Sequence, residues 1–165
     1  MASDVNLLGE QDWERELGMA RGTRLAPAEG LTELGCALYE LDAGGQAAPY
    51  HMHHGNDELL IVLDGTVELR TPEGTRTLGR GAFAGFPRGA AGAHRIRNAS
   101  TEKARYVLIS TMRFPEVAEQ LDTGTILALG EPGSGWAFPA GSERDYVELT
   151  REAIEADAGA PDPRD

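Results

Sequence analysis

A single cysteine, Cys36, in 165 residues leaves no internal disulfide to be made. A chain of this length buries roughly two-thirds of the surface its unfolded form exposes, so it needs no such staple. Cysteine poverty makes a cytoplasmic location the expectation. No apolar run approaches the ~20 residues that cross a bilayer, so no membrane partner is expected. The opening stretch MASDVNLLGEQDWERELG lacks a basic segment followed by a long apolar one, which argues against a secretory leader. Positive charge is in deficit too: the net charge is −12, which disfavours nucleic acid as a partner. The deficit is uneven, because residues 66–113 hold nine basic side chains against three acidic ones. These arginines read as a solvated strand face, with an anionic-substrate patch as the alternative. No serine–histidine–aspartate order, reactive-cysteine setting, phosphate-binding glycine loop or dinucleotide fingerprint is present. Nor is there an internal repeat.

What is present is a β texture. After Gly30, short runs at 34–41, 48–54, 58–64, 66–71, 75–79, 82–87, 94–98 and 105–112 alternate with turn signals. Asp64-Gly65 reads as a two-residue hairpin, and Pro72-Glu73-Gly74 as another tight turn. Many short strands without intervening long helices predict an antiparallel sandwich or barrel. The run ELLIVLD (58–64) is apolar on both faces and is expected deep in the fold. The organisation expected is one domain. Residues 1–30 form an N-terminal extension, with a short helix over EQDWERELG capped by Asp12 and ended by Gly18. Residues 31–113 form the β core. Residues 114–150 form a C-terminal extension packing on or near it, with a turn of helix over PEVAEQL and a strand at 125–129. Residues 151–165 form an acidic, partly disordered tail.

Three of the four histidines fall within HMHH, and a glutamate follows in HMHHGNDE, His51 to Glu58. Side chains on a strand alternate between faces, so His51 and His53 point together while Met52 and His54 point away. If the next strand runs antiparallel, Glu58 lies near the pair. His94 opens a later strand, and a closing barrel could bring it opposite. Three imidazole nitrogens and one carboxylate oxygen suit a divalent first-row metal with open positions for water or substrate. Taken singly, each histidine reads as polar surface. Cys36 reads as a small buried hydrophobe, and Asp57 and Asp64 as turn residues.

The segment from Gly45 to Gly65 resembles the first motif of the cupin family, G-x5-H-x-H-x4-E-x6-G, at every fixed position. Gly81, Pro87, Gly89, His94 and Asn98 resemble the second motif, G-x5-P-x-G-x2-H-x3-N, with two extra residues between Gly89 and His94. The likeness spans about residues 34–112. It implies an all-β fold, an antiparallel β-barrel or double-stranded β-helix of jelly-roll type. It implies one divalent metal ion held by His51, His53, Glu58 and His94, with iron, manganese, nickel, zinc and copper all compatible. It also implies a homodimer. Apart from the likeness, Pro87 fixes the chain before the loop that delivers His94, and Asn98 can tie down the following turn.

Parity predicts an apolar pocket with the metal at one end: Leu60, Val62 and Ile96 inward, Arg95 and Arg97 outward. Tyr50, Phe83, Phe86 and Arg88 are candidate substrate contacts at its mouth, with plain packing or loop chemistry as the alternative. The expected function is a metal-dependent enzyme on a small organic molecule. Glu58 is the candidate catalytic residue, holding the ion or shuttling a proton. The resemblance permits dioxygenase, isomerase and decarboxylase chemistry alike. The alternative is a non-catalytic module that binds a small ligand or a metal. Trp136 and Phe138 could cover a neighbouring subunit or the barrel end, with simple core packing as the plainer account.

Overall fold

The structure, a computed structural model, describes residues 5–158. Its strands are β1 (Arg15–Glu16), β2 (Ala20–Arg24), β3 (Leu34–Leu41), β4 (His51–His53), β5 (Glu58–Asp64), β6 (Thr66–Thr71) and β7 (Gly74–Gly79). They continue with β8 (Phe83–Phe86), β9 (Arg95–Arg97), β10 (Ala104–Thr111), β11 (Glu116–Gln120), β12 (Thr125–Glu131) and β13 (Ser134–Phe138), followed by one helix, α1 (Tyr146–Ala158). All ladders are antiparallel. One sheet has the order β1-β2-β3-β10-β5-β8, a second β13-β12-β11-β4 and a third β7-β6-β9. The bridges His51↔His94 and Gln46↔Arg97 join the second and third sheets into one layer. Leu60, Val62 and Tyr106 of the first sheet meet Val67, Leu69 and Ile96 of that layer in the main core. The fold is therefore all-β and jelly-roll-like. Among the described residues, its ladders do not close into an unbroken ring.

Period-2 alternation explains why these segments settle as they do. In β5, Leu60 and Val62 are buried, as expected, while Leu59, Ile61 and Leu63 are half-buried. Pro72-Glu73-Gly74 closes the β6–β7 hairpin, with Thr71 opposite Gly74. Asp64-Gly65 does something different from the expected hairpin. It turns a corner, because β6 pairs with β7 and β9 rather than with β5. Gly65 takes φ 71°, and a Cβ there would press on the Lys103 carbonyl oxygen. Only glycine fits that corner. Asn98, fully buried, ties its loop as expected. It donates to the carbonyls of Leu41 and Glu102 and accepts from Ser100 N–H.

Two helical expectations fail. EQDWERELG forms no helix; its Arg15 and Glu16 pair with Gly22 and Arg21 of β2 instead. Trp13 stacks against the guanidinium groups of Arg21 and Arg105, and these two arginines converge on the buried carboxylate of Glu40. Those tertiary contacts override a weak local preference. PEVAEQL is likewise a strand, β11, with Glu116 and Ala118 buried and Val117 exposed. The strand expected at 125–129 is present as β12. Of the expected tail, residues 151–158 are helical within α1, and residues 159–165 lie outside the described residues. No helix among the described residues is long and apolar enough to cross a membrane.

Candidate metal centre

Two strands and one loop supply the side chains of the histidine cluster. His51 and His53 sit on β4 with their ring centroids 5.0 Å apart, on one face as parity requires. His94 arrives by direct backbone pairing: His51 N–H donates to the His94 carbonyl at 3.1 Å, and His94 N–H to the His51 carbonyl at 2.9 Å. Their rings lie 4.6 Å apart. Glu58 opens β5 opposite Phe86 of β8, and the Phe86 ring stacks on His94 at 3.8 Å and 10°. The Glu58 carboxylate consequently lies 3.4 Å from His53 Nε2 and 3.3 Å from His94 Nε2 through the same oxygen, Oε2. One ligand atom from each of His51, His53 and Glu58 can be chosen so that all lie within 4.8 Å of one another.

The loop before His94 is shaped for this delivery. Its two extra residues are absorbed in a single 3-10 turn, Ala90–Gly92. A Cβ on Gly92 would collide with the Pro87 carbonyl oxygen, so the turn depends on a glycine. The Gly92 carbonyl then accepts a hydrogen bond from His94 Nδ1 at 3.0 Å, and the Pro49 carbonyl accepts one from His51 Nδ1 at 2.8 Å. A carbonyl only accepts, so each neutral ring carries its proton on Nδ1 and turns a bare Nε2 inward.

Electrostatics agree with a cation-binding role. Burial, reinforced by the neighbouring imidazoles, holds His53 down at about 4 and His94 at about 3. Burial also lowers His51. All three rings are therefore neutral at pH 7, the state in which an imidazole can bind a metal. Burial, reinforced by the charge of Glu116, pushes Glu58 up to about 7. Glu58 Oε2, His94 Nε2 and His53 Nδ1 are buried without a hydrogen-bond partner. Unsatisfied buried polar atoms are rare in folded proteins and call for an explanation. Two of them, Glu58 Oε2 and His94 Nε2, face each other in the cluster. A divalent ion would satisfy both and reverse the penalty on the Glu58 carboxylate. The donor set therefore fits a metal.

Glu116 escaped sequence reasoning, which placed it in a helical turn. It is 2% exposed and accepts hydrogen bonds from the backbone N–H groups of His54 and Gly55 and from the Asn56 amide. Its Oε1 lies 3.6 Å from His53 Nδ1, on the side of the ring away from Glu58. The alternation of Glu116, Val117 and Ala118 is the signal that could have revealed it. His54 points outward as expected and bonds Glu119 at 2.6 Å.

A cavity of about 480 Å³ adjoins Glu58, with Tyr39, Leu108 and Ser110 in its wall. A small void of about 40 Å³, which shares Tyr39 and Leu108 with that cavity, lies against His51 and His94. The four expected mouth residues line neither space. Tyr50 is buried under the Arg70 guanidinium, 3.9 Å from its ring centroid. Phe83 is 73% exposed, Phe86 backs His94, and Arg88 donates its backbone N–H to Asp57.

Residues 37–110 match the Cupin domain family model. Among solved structures, a sugar phosphate isomerase from a cupin superfamily, from Silicibacter pomeroyi DSS-3, is 25% identical with a TM-score of 0.69, covering 78% of this chain and 82% of that one. A putative sugar phosphate isomerase from Acidithiobacillus ferrooxidans is 27% identical with a TM-score of 0.68, covering 76% and 80%. A Cupin 2 conserved barrel domain protein from Salinispora arenicola shares the fold at 21% identity and a TM-score of 0.51, covering 64% and 90%. No curated protein matches the sequence. The β core around the histidine cluster, residues 37–110, belongs to the cupin superfamily.

Proposed function

We propose that the protein is a metal-dependent isomerase of a small hydroxy-carbonyl compound of the sugar type, with His51, His53, Glu58 and His94 as the metal ligands. The observation that carries this reading is the position of Glu58. It belongs both to the ring of inward donors and to the wall of the 480 Å³ cavity, a size suited to a small metabolite. The names of the two most similar of the relatives described above support the reaction type.

When bound, a divalent ion polarises oxygen atoms of a carbonyl or hydroxyl group. The remaining work falls to side chains. His51 and His94 donate from Nδ1 to the backbone carbonyls of Pro49 and Gly92, which turns their Nε2 atoms inward, and His53 presents Nε2 to Glu58 with its Nδ1 3.6 Å from Glu116. Leu108, Ala37 and Tyr39 exclude water from the cavity floor. Interconverting a hydroxy-aldehyde and a hydroxy-ketone moves one proton between adjacent carbons and a second from the hydroxyl oxygen to the former carbonyl oxygen, and it consumes no oxidant. In this reading Glu58 accepts the carbon-bound proton and returns it.

The test is metal analysis followed by incubation of the metal-loaded protein with aldoses, ketoses and their phosphates in deuterated water. Isomerisation enters deuterium at the exchanging carbon, which proton NMR reads directly. Exchange that depends on metal and disappears in Glu58→Gln supports the reading. Oxygen consumption with the same compounds would point to a dioxygenase. Ligand binding without turnover would favour the non-catalytic module, and either result refutes the isomerase.

The assembly we propose is a homodimer. Trp136 and Phe138 stand 71% and 47% exposed on β13, an edge strand, so they are not core residues. Every described side chain of α1 except Thr150 is also exposed. A lone 13-residue helix is marginal in water, and exposed aromatics beside an open edge invite a partner. Light scattering that reads a monomer at micromolar concentration would refute it.

A further inference from the structure

The register of the first sheet decides what faces the cavity. Tyr106 of β10 stands between Val62 of β5 and Tyr39 of β3; Tyr39 stands opposite Gly22 of β2, and Gly22 opposite Arg15 of β1. One row along, Leu60, Leu108, Ala37 and Arg24 lie in line. The next row holds Glu58, Ser110 and Gly35. These rows share the inner face, since Leu60, Val62 and Tyr106 are core residues. The inner face thus runs from an acidic end at Glu58, over an apolar floor, to two arginines on β1 and β2 at the far side of the sheet. Arg15, Arg24 and Glu58 all line the same cavity.

The arginines are aimed and available. Gly22 lies between Arg15 and Tyr39, and a Cβ there would stand 2.9 Å from the Tyr39 ring; Arg24 stands opposite Ala37. Arg24 is held through Nε by Glu14 at 3.0 Å, which leaves its two terminal nitrogens without a hydrogen-bond partner among the described residues. Arg15 has no acidic partner among the described residues. As diagonal neighbours across a strand pair, the two lie within reach of one ligand group. Three strand spacings, about 14 Å along the sheet, separate β5 from β2. A side chain reaching inward from each end leaves room for a few carbon atoms.

We infer that Arg15 and Arg24 form a subsite for the terminal phosphate monoester of the substrate, with the carbonyl end of the same molecule directed to Glu58. Planar guanidinium forks match phosphate oxygens in pairs. This inference rests on the proposed role of the cavity as substrate chamber. It does not require that the reaction be isomerisation.

The test measures binding by calorimetry on the full chain as purified, with metal content determined for every sample. The probes are inorganic phosphate, glycerol 3-phosphate and ribose 5-phosphate, with ribose and glucuronate as controls. Ribose 5-phosphate is expected to bind at least about tenfold more tightly than ribose. Arg15→Ala, which removes no ion pair, is expected to abolish that preference with metal content unchanged. Arg24→Gln is expected to weaken phosphate binding without moving ribose. Thermal unfolding of each variant confirms that it folds. Equal affinity for ribose and its phosphate, retention of the preference in folded Arg15→Ala, or saturable binding by none of the phosphates overturns the subsite. Glucuronate binding as tightly as ribose 5-phosphate overturns its assignment to phosphate. Phosphate-dependent binding without deuterium exchange would leave the subsite standing and sink the isomerase.

Discussion

Replacing Glu58 by glutamine should stabilise the metal-free protein at alkaline pH and destabilise the metal-loaded one. Burial and the charge of Glu116 raise the Glu58 carboxyl from an ordinary 4.5 to about 7 in the folded chain. A raised acid costs nothing while both states are protonated. Its penalty grows as pH climbs from the unfolded value to the folded one, and is constant above it. The difference corresponds to roughly 3 kcal/mol at pH 8. Glu58→Gln keeps the shape and removes the charge, so the chelator-treated variant should exceed the wild type by about that amount at pH 8. At pH 5, just above the unfolded value, the gap should shrink to below about 1 kcal/mol. The three buried imidazoles work in the opposite sense, since they are held below 6.5 and draw stability away as pH falls. They are common to both proteins and cancel in the comparison. With saturating divalent metal the order reverses, because a bound cation rewards the carboxylate and a ligand at 1,000 times its Kd adds about 4 kcal/mol. Urea unfolding at pH 5 and pH 8, with chelator and with metal, checks all four cases. A metal-free variant no more stable than wild type at pH 8 would refute the electrostatic reading of the cluster.

His51→Ala, His53→Ala and His94→Ala should each lower metal occupancy sharply, while His54→Ala, whose ring faces outward to Glu119, should not; elemental analysis of purified protein reads this. Gly92→Ala forces a Cβ into the Pro87 carbonyl oxygen and should displace the His94 loop, so metal content and thermal midpoint fall together. Glu40→Ala leaves Arg21, Lys103 and Arg105 facing one another at a site 6% exposed and should cost on the order of 3 kcal/mol in urea unfolding. Burial raises the Glu40 carboxyl, but hydrogen bonds from Arg105, Lys103 and Arg21 outweigh it and hold it at about 2. Its contribution is therefore present above 4.5 and lost as pH falls towards 2, and the gap between wild type and Glu40→Ala should narrow over that window.

Strand alternation and turn chemistry are local properties, and they were legible in the chain. The i, i+2 spacing of His51 and His53 put both rings on one face before any fold was known. The tight turn at Pro72-Glu73-Gly74 and the apolar run of β5 followed from the same short-range rules. Contacts between distant segments decided the rest. Trp13 could settle against Arg21 and Arg105 only once β2 and β10 stood on either side of β3, and that pairing turned an expected helix into an edge strand. Glu116 meets His53 because β11 pairs with β4, across more than sixty residues of chain. The same holds for Arg15 and Arg24, whose shared face with Glu58 depends on the register of four successive ladders. A one-residue slip in any of those ladders would send part of the row to the opposite face, and register is set by packing across the whole sheet.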